Sequence, residues 1–170
     1  MEEPINEENP VVQFQYRYPF SFQSVASAFI TKFNYEPRAM LTTATGVTQL
    51  DEDRFMFYRR ADTVFSNDIT YERVIVDRRD GGKITSELIK PRNGGEKLFE
   101  RGVIIAENGS ALHNHFIYEH QGIKTMKVEA FKIGVQRVLK TIKFAEFEKQ
   151  EWGTQKFWLE CITTTTYYFI

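Results

Sequence analysis

Residues 11–18, VVQFQYRY, alternate between apolar and polar, so Val12, Phe14, Tyr16 and Tyr18 share one face of a strand. Pro19 closes that strand, and Ser21 is placed to act as a helix N-cap. Phe22, Val25, Phe29 and Phe33 then recur at three- and four-residue spacing, with Ala26 and Ile30 beside them. That pattern predicts one apolar helical stripe, about three turns long. Pro37 ends it.

Six further strands are expected, over 40–50, 53–61, 69–78, 83–90, 97–106 and 111–120. Their connectors, LDED, RDGG, PRNGG and ENGS, carry turn chemistry and are short. Short connections make neighbouring strands antiparallel hairpins. From 125 to 150 the period lengthens. Met126, Ala130, Val138, Ile142 and Ala145 lie near one face, with Phe131, Val135 and Leu139 beside them, and no proline interrupts. A helix of that length spans about 39 Å, enough to cross a sheet. Gly153 is placed to end it, and the β-branched, aromatic tail that follows reads as extended.

Strand, helix, six antiparallel strands and a long helix make an α+β architecture of the START-like helix-grip type. A curved seven-stranded sheet should wrap the long C-terminal helix. The short helix after the first strand should cap one end, its Phe stripe in the core. The organisation expected is an acidic tail over 1–10, a domain over 11–151 and an extended aromatic tail over 152–170.

Composition supports a globular chain of 170 residues, 42% apolar and 15% aromatic. A formal charge of −1 supplies no field to recruit nucleic acid. The single Cys, Cys161, excludes an internal disulfide and a cysteine-based zinc site. No apolar run approaches the ~20 residues of a membrane helix. The opening MEEPINEENP is acidic and has no arginine, unlike a secretory signal or mitochondrial presequence.

The same order of elements resembles the PRELI/MSF1 family. The segment SAFITKFNYEP, with Ala28, Phe29, Lys32, Phe33, Asn34 and a displaced Pro37, is similar to that family's motif after its first strand. The hairpin YERVIVDRRDGGKITSELI and the helix end FAEFEKQE fall where the family's counterparts do. The resemblance covers roughly residues 11–150. It implies a START-like fold, phospholipid binding and a place in the mitochondrial intermembrane space, peripheral to the inner membrane. One departure stands out: only DTVFSND, residues 62–68, occupies the place of the family's lid segment.

Three basic residues interrupt apolar stretches: Lys32 in the last turn of the first helix, Arg59 after Phe55 and Phe57, and Arg101 between Phe99 and Val103. A buried cation needs a partner, and a lipid phosphate is one candidate. The resemblance places Lys32 and Arg59 near the head group, whereas Arg101 rests on periodicity alone. The alternative is that these side chains snorkel to the sheet edge. His113 and His115 share a strand face, but with Leu112, Phe116 and Tyr118 taken as inward they are expected to face solvent or a partner. Glu119 is the only carboxylate on their face, so no metal site is expected. No catalytic residue is singled out, since no nucleophile motif or phosphate-binding glycine loop is present.

These features point to a non-enzymatic accessory subunit docked on a mitochondrial inner-membrane complex, such as a respiratory-chain complex, with a retained phospholipid left open. Phe157, Trp158, Tyr167, Tyr168 and Phe169 are the docking candidates. A mobile carrier of phosphatidic acid or phosphatidylserine is the alternative, and a START-like cyclase or hydrolase is a second.

Overall fold

The computed structural model describes residues 10–35, 47–62, 69–92, 94–118 and 124–145. The strands are β1 (Val12–Tyr18), β2 (Thr48–Gln49), β3 (Arg54–Asp62), β4 (Ile69–Asp77), β5 (Lys83–Arg92), β6 (Gly95–Glu107) and β7 (Ser110–Ile117). The helices are α1 (Phe22–Tyr35), between β1 and β2, and α2 (Lys124–Ala145), after β7. All strands lie in one antiparallel sheet ordered β1-β7-β6-β5-β4-β3-β2. Every consecutive pair from β2 to β7 is therefore a neighbour, and β1 joins the free edge of β7. The curved sheet with its two helices is the expected helix-grip arrangement.

Local chemistry accounts for the elements. Ser21 Oγ accepts the Ser24 amide at 3.4 Å, the N-cap bond that starts α1. Asn108 and Gly109 both adopt positive φ, 51° and 80°. This is the two-residue turn geometry that matches strand twist, and Asn-Gly is the pair that adopts it at least cost. A register shift at Leu88/Ile89 bends the long β5–β6 hairpin.

The core lies between the sheet's inner face and the two helices. Phe55, Phe57, Val74, Val76, Ile84 and Ile104 come from the sheet. Val25, Phe29 and Ile30 come from α1, and Val135, Val138 and Ile142 from α2, which packs on α1. Each such side chain contributes about 1.5–3 kcal/mol when fully buried. A second apolar cluster, Ile89, Leu98 and Tyr118 with Tyr58, Tyr71 and Phe116, is separate from this core.

Some expectations change. Within 40–50 only Thr48–Gln49 is strand among the described residues. Ala130 is exposed at the edge of α2 and is not packed into the core. The side chains of Phe33, Met126 and Ala145 lie outside the described set, as do residues 1–9, 146–150 and the tail over 152–170. The docking candidates Phe157, Trp158, Tyr167, Tyr168 and Phe169 fall in that tail.

Ile142 is 4% exposed while Phe131 is only half-buried. Ile142→Asp should therefore cost about 3–5 kcal/mol in urea denaturation, the range for an uncompensated buried charge. Phe131→Asp should cost clearly less. A near-wild-type midpoint for Ile142→Asp would contradict the packing of α2 on the core.

Candidate functional site

Alternation along each strand sends a defined set of polar side chains inward. On β3, Arg59 follows Phe55 and Phe57 on the inner face, and its cross-strand partner on β4 is Glu72. Arg59 is 1% exposed. Its Nε donates to Glu72 Oε1, and its Nη1 donates to the carbonyl oxygens of Phe29 and Ile30 at 3.2 and 3.1 Å. Glu72 Oε2 also accepts from Ser86 Oγ at 2.8 Å. One guanidinium thus joins α1, β3 and β4, and Ser86 extends the network to β5. Burial works to raise the Glu72 carboxyl. The charges of Arg59 and Lys32, with the Ser86 and Arg59 hydrogen bonds, outweigh it and bring the group down to about 2.

Beside this network, under α2, lies a cavity of about 160 Å³. Tyr18, Phe29, Phe131, Val135 and Val138 form its apolar walls, and Ala130 and Gly134 lie on the α2 side. Lys32, Glu72, Ser86, Glu100, His113 and His115 supply its polar groups. Lys32 is 8% exposed, and its Nζ sits 4.1 Å from the centre of the Phe29 ring.

The histidines correct the sequence-based expectation. β7 pairs His113 with Tyr16 and Ile104, and His115 with Phe14 and Gly102. Both rings line the cavity and neither points to solvent. Leu112, Phe116 and Tyr118 take the opposite face. The misreading has a physical cause: both faces of β7 carry apolar residues, so hydrophobicity alone does not choose between them. Phe131 covers the pair, its ring centroid 5.3 Å from that of His113 and 5.4 Å from that of His115.

His115 Nε2 meets Glu100 Oε2 at 3.1 Å. A carboxylate only accepts, so that nitrogen carries the proton and donates. Among the described residues, His115 Nδ1 and both ring nitrogens of His113 are buried without a hydrogen-bonding partner. Burial, then the nearby His115 and Lys32, push His113 down to about 3, so it is neutral at physiological pH. Burial, helped by Tyr16, pushes the Tyr18 phenol far up, so it too stays neutral.

Of the three basic candidates, Lys32 lines the cavity and Arg59 sits behind it, tied to Glu72. Arg101 does not belong with them, which is a second correction. Its neighbours Glu100 and Gly102 line the cavity, so alternation sends Arg101 to the outer face. There Glu87 takes Arg101 at 2.8 Å and Arg73 at 3.0 Å. Among the described residues, no group of three or more His, Cys, Asp or Glu side chains is placed to hold a metal ion.

Two measurements test this site. Glu72→Gln leaves the Arg59 charge buried without its carboxylate and should cost about 3–5 kcal/mol in urea denaturation. The second concerns pH. An ordinary histidine titrates at 6.5 and folded His113 at about 3, so below 6.5 the unfolded chain binds a proton that the folded chain does not. Stability should fall with decreasing pH through that window, by up to ~1.4 kcal/mol per unit. Glu72, lowered from 4.5 to about 2, stabilises above 4.5, and that contribution is lost as pH falls towards 2. Of these two groups, only His113 acts between pH 6.5 and roughly 5. His113→Asn should flatten the profile there, and an unchanged slope would contradict the buried neutral ring.

Comparison with known proteins bears on the fold. No protein-family model and no characterised protein sequence matches the chain. Among solved structures, human STARD10 superposes at a TM-score of 0.51 with 6% identity, over 81% of this chain. The chain spans 65% of the length of that one. The Zhui aromatase/cyclase from Streptomyces sp. R1128 gives 0.46 and 11% identity, over 81% of this chain and 93% of that one. The quaternary ammonium Rieske monooxygenase CntA gives 0.49 and 9%, over 94% of this chain and 49% of that one. At these identities the likeness concerns backbone and not chemistry. The chain has a START-like helix-grip fold.

Proposed function

We propose that the chain is a non-enzymatic domain of the PRELI kind that serves as an accessory subunit docked on a membrane protein complex. Its place on this reading is the intermembrane-space side of the mitochondrial inner membrane. The observation that carries the reading is the size of the cavity. At about 160 Å³ it is close to the ~150 Å³ of an engineered cavity that takes one benzene molecule. Pockets that enclose drug-sized ligands run to ~300–1,000 Å³. A whole phospholipid, with two acyl chains, exceeds that volume.

The charges argue the same way. Lys32 and Arg59 face the ionised Glu72, so an incoming phosphate meets a carboxylate as well as two cations. The helix-grip then serves as a scaffold, and its cavity admits a head-sized part of an amphiphile. Docking draws support from the sequence of the tail. Phe157, Trp158, Tyr167, Tyr168 and Phe169 are of the residue types that anchor interfaces. The PRELI resemblance supplies the compartment. Among the described residues no helix is long and apolar enough to cross a membrane.

The test pairs two assays. Epitope-tagged full chain, solubilised from its source membranes, should co-migrate with a large complex on a native gel. Deletion of residues 154–170 should release it. The purified chain should not speed transfer of phosphatidic acid or phosphatidylserine between vesicles. A chain that migrates alone and accelerates transfer is a mobile carrier, and the subunit reading falls.

A further inference from the structure

The sheet brings two histidines to one spot beside a glycine. A Cβ placed on Gly102 would lie 3.0 Å from His113 Nε2 and 3.3 Å from His115 Nδ1. The two nitrogens thus flank the same small region of the cavity floor, and glycine is what lets the rings settle there. His113 is 8% exposed, and neither of its nitrogens has a hydrogen-bonding partner among the described residues. A buried polar atom left in that condition is costly, and native structures rarely leave one without a function.

The hydrogen-bond roles are set from one side. Glu100 Oε2 accepts the hydrogen bond of His115 Nε2–H, and in that imidazole tautomer Nδ1 is left as a buried acceptor beside the cavity. Neutral His113 has one nitrogen that donates and one that accepts. A ligand group that satisfies both rings must give a hydrogen bond to His115 and receive one from His113. A hydroxyl does this. A carbonyl or ether only accepts, and a fully ionised carboxylate or phosphodiester lacks the proton that His115 needs. The walls select the rest of the guest: Phe131 and Tyr18 present ring surfaces, Val135 and Val138 aliphatic ones, and the volume suits one six-membered ring.

We propose that the cavity binds a neutral, hydroxyl-bearing ring, of phenol or cyclic-alcohol type, whose hydroxyl donates to His115 Nδ1 and accepts from His113. On this reading the part of an amphiphile that the cavity admits is such a ring, in place of a phosphate. The inference rests on reading the cavity as a ligand site and is independent of where the domain docks.

Phenol is the probe and fluorobenzene its near-isostere without a donor. Binding of each to the purified full chain is followed by calorimetry and by the ring resonances of the histidines. Phenol should bind at least about tenfold more tightly than fluorobenzene, the effect of satisfying buried partners. It should also shift the His113 and His115 ring signals together. His113→Leu should abolish the preference while fluorobenzene still binds. Should that variant fail to fold, the wild-type ring signals decide alone. Equal affinity for the two probes, no binding of either, or unmoved histidine signals would each overturn the proposal. Tighter binding of inorganic phosphate than of phenol would overturn it in favour of an anionic head. None of these outcomes changes migration on a native gel, so failure here is distinct from failure of the docking reading.

Discussion

A guanidinium almost wholly withdrawn from water sets the rest of the structure. Arg59 projects from β3 into the core, and transfer of such a charge from water costs several kcal/mol unless its hydrogen bonds are replaced. The replacements come from Glu72 on the adjacent strand and from the carbonyls of Phe29 and Ile30 on α1. The pair is therefore a locating device as much as an attraction. It ties α1 against β3 and β4 in one rotation, and that rotation turns Phe29 and Lys32 towards the cavity. Apolar contacts from Val25 and Ile30 would hold a helix against the sheet in several positions. The carbonyl bonds of Arg59 specify one.

The sheet is apolar on both faces, which is uncommon for antiparallel strands with one face in solvent. Its inner face makes the main core, while Ile89, Leu98 and Tyr118 form a cluster apart. Arg73, Glu87 and Arg101 interlock across three neighbouring strands on the outer face, with Glu87 in the middle. The inner network and this outer one use the same chemistry, a carboxylate held by arginine, to different ends. The inner one sits in the core beside a cavity. The outer one is a solvent-side clasp of modest energy.

The fold was legible because its signals are local. Ser21 before an apolar stripe, Asn108–Gly109 between two alternating runs and the change of period after 124 each depend on neighbours in the sequence. The site was less legible because it depends on register. Arg59 was recognisable as an interior cation, but its partner lies on another strand. One signal was available: Arg59 and Glu72 stand equally far from the midpoint of the β3–β4 connection, where hairpin pairing brings them opposite. His113 and His115 were assigned outward because Leu112, Phe116 and Tyr118 are more apolar. Only the pairing of β7 with β1 and β6 shows which face looks inward. Arg101 was placed by the company of Phe99 and Val103, although its immediate neighbours Glu100 and Gly102 carry the inner-face contacts. The cavity itself leaves no trace in the pattern, since it exists only where α1, α2 and the sheet meet.

Above the histidines, the α2 side of the cavity includes Ala130 and Gly134, one helical turn apart and among the smallest residues available. Val135, Val138 and Ile142, further along the same helix, bear its packing on the core. The residues that meet a guest and those that anchor the helix therefore overlap at Val135 and Val138. Occupancy of the cavity and the packing of α2 on the core are thereby linked: a guest held against Val135 and Val138 in the folded chain adds its binding free energy to the stability of the whole domain.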